Sequence, residues 1–163
     1  MVEISIGISH QGYKSSFQIG WGKCSVGYHG DDGGIYLEND STPKFRYETI
    51  VLGDVIGCGI NLPSKHIFFT KNGDLMIIPC KLKATDPICA SIGMFGSGNL
   101  STNFGKEEFK FQLSKLKNLF QVDNIYEMRG KRYPEYLRDF NCDLSDDDDD
   151  DKEEIKQKRK KRK

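Results

Sequence analysis

The sequence contains no run of about twenty apolar residues, so no segment of it reads as a membrane-spanning helix. Its opening stretch, MVEISIGISH, lacks the basic region and long apolar core of a secretory leader. None of its 5 cysteines (Cys24, Cys58, Cys80, Cys89 and Cys142) forms a CxxC pair, and their spacing is irregular. With no leader, this usage leads to the expectation of reduced thiols in an intracellular protein. Neither GxxxxGK[ST] nor a strand–GxGxxG–helix pattern occurs, so no phosphate loop is expected. Hydrophobic residues make up only 37% of the 163, and part of that deficit lies beyond Asp143, where almost every residue is charged. The formal net charge of zero is a cancellation: an unbroken aspartate run over 146–151 precedes KQKRKKRK at 156–163. Only these local runs carry information about partners.

What is present up to about residue 112 is period-two alternation, the signature of strands. Ile4, Ile6 and Ile8 share one face of VEISIGIS, opposite Glu3, Ser5, Gly7 and Ser9. In VIGCGINL, Ile56, Cys58, Ile60 and Leu62 share a face, and the glycines opposite suggest close approach of another backbone. HIFFT and LMIIPC are joined by KNGD, where Asn72-Gly73 signals a type I′ hairpin. Ile88, Ala90, Ile92 and Met94 alternate in phase, and DDGG at 31–34 predicts a tight turn. Short strands at this spacing without intervening helices imply an all-β, antiparallel sandwich or barrel. After residue 112 the pattern changes. Leu116, Leu119 and Phe120 fall at helical spacing behind Ser114, a candidate N-cap, which predicts a short helical extension over 113–141. Residues 142–163, acidic and then basic, bury nothing and are expected to be disordered.

The stretch GWGKCSVGYHGDDGG, residues 20–34, gathers histidine, cysteine and carboxylates, and so raises the question of chemistry. His29 with Asp31 and Asp32 is a conceivable metal site. Adjacent strand residues point to opposite faces, however, so a chain-reversing turn is the better reading. A nucleophile built from Cys24 or Cys58 beside His29 or His66 lacks any identifiable acid or oxyanion loop. No catalytic residue, metal ligand or cofactor is therefore assigned. The basic end reads either as a nuclear-import or nucleic-acid-binding tail or as a solvated terminus.

Taken in order, EISIGIS, GWGKCSVGYHGDDG, GDVIGCGINL, IFFTKNGDLM and NFG resemble a SPRY domain over roughly residues 3–112. The likeness is greatest to the Ran-binding-protein-M type. The resemblance implies a bent sandwich of two antiparallel sheets over 1–112, with Trp21 and Tyr28 packed and 31–34 forming a turn. It implies a non-enzymatic module that binds a partner protein or short linear peptide through loops at one end. In such a module Tyr13, Phe95 and Gly96 take the positions of peptide contacts. It further implies an adaptor or scaffold setting, such as a ubiquitin ligase or chromatin assembly. A full domain of this kind has strands ahead of the IGIS strand, so the sandwich is expected to lack its opening strands. Lys158, Arg159, Lys160, Lys161, Arg162 and Lys163 are the expected contacts for a nuclear-import receptor, which favours a nuclear location. The competing reading is a nucleic-acid- or chromatin-associated protein that uses the same tail.

Overall fold

The alternation is realised as strands throughout. The computed structural model describes residues 3–14, 16–38, 41–63, 65–81 and 87–117. In chain order these form β1 (Glu3–His10), β2 (Ser25–His29), β3 (Gly34–Leu37), β4 (Phe45–Arg46), β5 (Ile56–Asn61), β6 (His66–Lys71), β7 (Asp74–Lys81), β8 (Ile88–Phe95) and one helical turn, α1 (Ser114–Lys117). One sheet has the order β4-β3-β2-β1-β8 and the other β5-β6-β7, and every pairing is antiparallel.

Register places like with like. Ile4, Ile6 and Ile8 on β1 face Met94, Ile92 and Ala90 on β8, while Ile6 and Ile8 face Tyr28 and Val26 on β2. Directly opposed residues point to the same side, so the isoleucine face becomes the inner face of the larger sheet. There Ile8, Val26, Tyr28, Ile35 and Leu37 pack against Ile67 and Phe69 of the smaller sheet. Ile56, Cys58 and Ile60 of β5 join this core as expected, but Leu62 is exposed. The glycines opposite them, Gly57 and Gly59, are crowded by the Thr70 hydroxyl and the Phe68 ring of β6. The close neighbours are thus side chains of the adjacent strand, not another backbone.

The polar face of β1 is not a solvent face. Residues 16–22 fold over the larger sheet and cover Ser5, Ser25 and His29, and Ser9 on the same face is buried as well. The Ile19 amide donates to Ser5 Oγ (3.1 Å), the Gly20 amide to Ser25 Oγ (2.9 Å), and Ser25 Oγ donates to the Gly22 carbonyl (2.7 Å). This segment lies so close that a Cβ on Gly27 would overlap the Ile19 carbonyl. The Asn72-Gly73 hairpin is present between β6 and β7 with φ of 54° and 91°, both positive as a type I′ turn requires.

Beyond β8 the chain runs without strand pairing to Phe111, whose buried ring packs 5.9 Å from that of Phe68. Helix α1 begins at Ser114 and is described for a single turn. The rest of the 113–141 extension, including Leu119 and Phe120, and the whole 142–163 tail lie outside the described residues. The expectation of reduced thiols fails at Cys24, which is disulfide-bonded, whereas Cys58 and Cys89 are free. Pairing is a matter of distance in space, and irregular spacing along the chain carries no information about that.

Candidate functional site

The 20–34 stretch resolves into packing. Tyr28 is fully buried, and Trp21 rests on the rings of His29 (5.1 Å) and Tyr36 (6.0 Å). His29 Nε2 donates to the Ile19 carbonyl at 2.7 Å, and burial pushes its pKa down. Asp31 and Asp32 form the turn between β2 and β3, closed by the Gly33 amide donating to the His29 carbonyl (3.0 Å). Asp32 turns back to accept from the Gly34 amide (2.8 Å), the Tyr36 hydroxyl (2.8 Å) and Arg46 (3.0 Å). Although burial alone would raise it, these donors hold the Asp32 carboxyl below the usual range. Burial and the same hydrogen bond push Tyr36 up to about 12. Neither sequence candidate for a nucleophile is activated: Cys24 is tied into its disulfide, and burial pushes the Cys58 thiol up to about 12. Among the described residues, no group of three or more His, Cys, Asp or Glu side chains is arranged to hold a metal ion.

Strand direction sorts the loops to two ends. β1 runs from Glu3 to His10 while β8 runs oppositely, Glu3 facing Phe95 and His10 facing Ile88. Tyr13 therefore follows the His10 end, and Phe95-Gly96 lies at the other, about 24 Å away along an eight-residue ladder. The structure does not bring these predicted contacts together. Tyr13 is half-buried beneath Gly22, edge-on to His10 at 6.0 Å, and its hydroxyl donates to the Gln18 carbonyl at 2.8 Å. Burial raises its pKa. Phe95 is 70% exposed at the last position of β8 and is followed by Gly96 at a φ of 99°.

The Phe95 end carries a second element that pattern reading passed over, the loop over 49–55. It adjoins β1 through a short relay: the Gly30 amide donates to the Ile4 carbonyl (2.7 Å) and the Ile50 amide to the Gly30 carbonyl (2.7 Å). Since Ile4 faces Met94, the loop stands about three strand spacings from β8, on the order of 15 Å. Its tip is a turn, with the Asp54 amide donating to the Val51 carbonyl (3.1 Å) and Gly53 at a φ of 94°. That positive φ at the third position is the requirement of a type II turn. Asp54 fixes it, accepting from the Val51 amide (2.9 Å) and Asn72 Nδ2 (2.7 Å), with Lys71 Nζ at 3.1 Å. The Val51 amide, Asn72 and Lys71 hold the Asp54 carboxyl down at about 2. Asn72 also bonds Val55 in both directions (2.8 and 2.9 Å), and Lys71 Nζ donates to the Thr49 carbonyl (2.8 Å). The loop is thus rigid while it presents Val51 and Leu52 outward, at 62% and 105% exposure. The sequence signal was available: Val51-Leu52-Gly53-Asp54 puts two aliphatics in front of a turn pair.

A rigid antiparallel sandwich that holds apolar side chains clear of its body at one end defines a protein-interaction domain. Comparison with known proteins assigns it further. The SPRY domain family model matches residues 2–107, and the chain belongs to that family. It is 36% identical to the Drosophila melanogaster Ran-binding proteins 9/10 homolog over 146 residues, which is 82% of this chain and 14% of that protein. It is 34% identical to human Ran-binding protein 9 over 111 residues (68% and 15%) and 33% identical to the Arabidopsis thaliana Ran-binding protein M homolog over 117 (68% and 24%). The chain thus spans less than a quarter of the length of these curated relatives. A solved human SPRY domain is similar at 29% identity over 58% of this chain and 59% of that one, with a TM-score of 0.41.

Proposed function

We propose that the chain acts without catalysis, as the partner-binding module of an adaptor or scaffold in a larger complex of the ubiquitin-ligase kind. It binds a protein or short linear peptide at the end that carries Phe95 and Gly96. The observation that carries this reading is Phe95: a large ring, 70% exposed, on a strand fixed by eight register pairs to β1. Aromatic anchors on pre-organised backbones dominate interface energies. Tyr13 belongs to the same site only for a partner that spans the outer face of the larger sheet. Phe95→Ala is therefore expected to weaken partner binding by about 1–3 kcal/mol with the fold intact. Quantitative affinity purification with the wild type, Phe95→Ala and Tyr13→Ala tests this, with circular dichroism as the folding control. An unchanged partner set in the folded double variant refutes it.

The basic run supports a second element of the proposal: residues 158–163 engage a nuclear-import receptor. The competing nucleic-acid reading is separated by measuring nucleic-acid binding with and without residues 152–163.

A further inference from the structure

We infer that the Leu52 tip is a second anchor of this binding end, and that the partner it fits is a cationic peptide segment in which apolar side chains are flanked by lysine or arginine. This rests on the proposed reading of the domain as a partner-binding module. Three observations converge. First, Leu52 makes no packing contribution to its own domain, being 105% exposed, yet its turn is held by Asp54, Asn72 and Lys71 together. A fully exposed aliphatic on a flexible loop would be unremarkable. On a turn fixed by this many bonds, little entropy remains to be lost on docking. Second, Val51 and Leu52 share their end of the sandwich with Met94 and Phe95, which are 47% and 70% exposed, so two apolar points stand at one end, joined through the backbone relay from Ile4 to Ile50.

Third, the two ends differ in charge. Around the apolar rim stand the carboxylates of Glu3, Asp31, Glu48 and Asp74, the first at the start of β1 and the last opening β7. The strand-borne cations of this end are engaged inside the domain, Arg46 by Asp32 at 3.0 Å and Lys71 by Asp54 at 3.1 Å and Glu48 at 3.4 Å. Lys110, packed beside Gly73, is a further cation at this end. The opposite end, where the loops after β1, β3 and β5 lie, carries Lys14, Lys23, Lys44 and Lys65, with Glu38 beside β3 as a carboxylate among them. Charge of one sign at a binding rim selects partners of the other and speeds encounter. An apolar anchor in an acidic rim therefore selects for apolar residues in a basic setting.

The test is a random-peptide display library panned on the full chain, followed by fluorescence-polarisation titration of synthetic versions of the enriched peptides. Enriched sequences are expected to place an aliphatic or aromatic residue within a few positions of lysine or arginine. Leu52→Ser is expected to weaken them about tenfold or more, and Glu48→Gln severalfold with a flatter salt dependence. The 146–151 aspartate run also attracts cations, but it is identical in both variants, so a loss on Leu52→Ser reports the tip alone. Since Leu52 touches nothing in the fold, thermal melts of the two proteins should coincide. Peptides that bind Leu52→Ser as tightly as the wild type, or that carry net negative charge, overturn the inference. If those peptides remain sensitive to Phe95→Ala, the partner-binding reading survives. Failure to enrich any peptide counts against both.

Discussion

The larger sheet is five strands wide and the smaller is three, and the mismatch has a measurable consequence. β5, the edge of the smaller sheet, approaches the larger one at β1, and among the described residues no strand lies beyond it beneath β8. The inner face of β8 is left partly open, with Ile92 41% and Met94 47% exposed; Phe95 at the end of the strand is 70% exposed and Phe104, in the segment that follows, 77%. β8 is also a sheet edge without a charged residue along ICASIGMF, so nothing on it opposes pairing with another chain. The exposed fractions amount to between two and three whole apolar side chains. At about 1.5–3 kcal/mol for each side chain fully buried, roughly 4–7 kcal/mol per chain is available on covering them. Two chains together bring about twice that, against an association cost of about 4–15 kcal/mol. Gain and cost are of the same size, so any association is weak and shows itself only as concentration rises. Residues 1–163 expressed alone are therefore predicted to self-associate with rising concentration, and the pair Met94→Lys and Phe104→Ser to return the chain to monomer. Neither substitution removes a fully buried side chain, so the fold should survive both. Sedimentation velocity over a concentration series, with thermal unfolding of both proteins, measures this. A wild-type chain that stays a monodisperse monomer and melts cooperatively above about 55 °C, well within the ordinary range, would show that the sandwich is complete as it stands.

Gly27→Ala drives a methyl into the Ile19 carbonyl and should destabilise the domain by about 3 kcal/mol or more; an unchanged urea midpoint would mean that residues 16–22 do not cover the sheet as described. Asp54 has a native pKa of about 2, below its unfolded value near 4, so its contribution is fully present above that unfolded value and is lost as pH falls towards 2. Urea titrations from pH 5 to pH 2 should show this loss in the wild type and not in Asp54→Asn, and equal slopes for the two would refute it. His29 is a base whose pKa burial depresses, so its contribution is present above about 6.5 and is lost as pH falls below it; a stability profile flat from pH 7 to pH 5 in the wild type would contradict its burial. Deleting residues 158–163 from a fluorescent fusion should shift it from nucleus to cytoplasm, and an unchanged distribution reduces the run to a solvated end.

Much of the sandwich was legible because period two is a local property. Ile4, Ile6 and Ile8, or Asn72-Gly73, carry their signal within a few residues and need no distant partner to be read. The 31–34 turn was legible for the same reason: glycine at a positive φ leaves its mark directly in the sequence. The serines opposite those isoleucines were not legible as buried residues. Ser5 and Ser25 are satisfied by the amides of Ile19 and Gly20, and only folding residues 16–22 over the sheet supplies them. The candidate site divides in the same way. Phe95 was found as an aromatic before a glycine. The 49–55 loop was not found, since its rigidity comes from Lys71 and Asn72 some twenty residues on.

The sequence by itself determined which residues form strands, which face of each is apolar and where the tight turns fall, because each follows from side-chain periodicity and backbone preference over a few positions. Only the tertiary structure decided which loops share an end. The antiparallel run of β1 against β8 carries Tyr13 and Phe95 to opposite ends, and the relay from Ile4 through Gly30 to Ile50 brings Leu52 to the Phe95 side. The sign of charge around each end was settled there too, since strand direction assigns every loop residue to one end or the other, and direction is fixed by pairing between segments far apart in the chain.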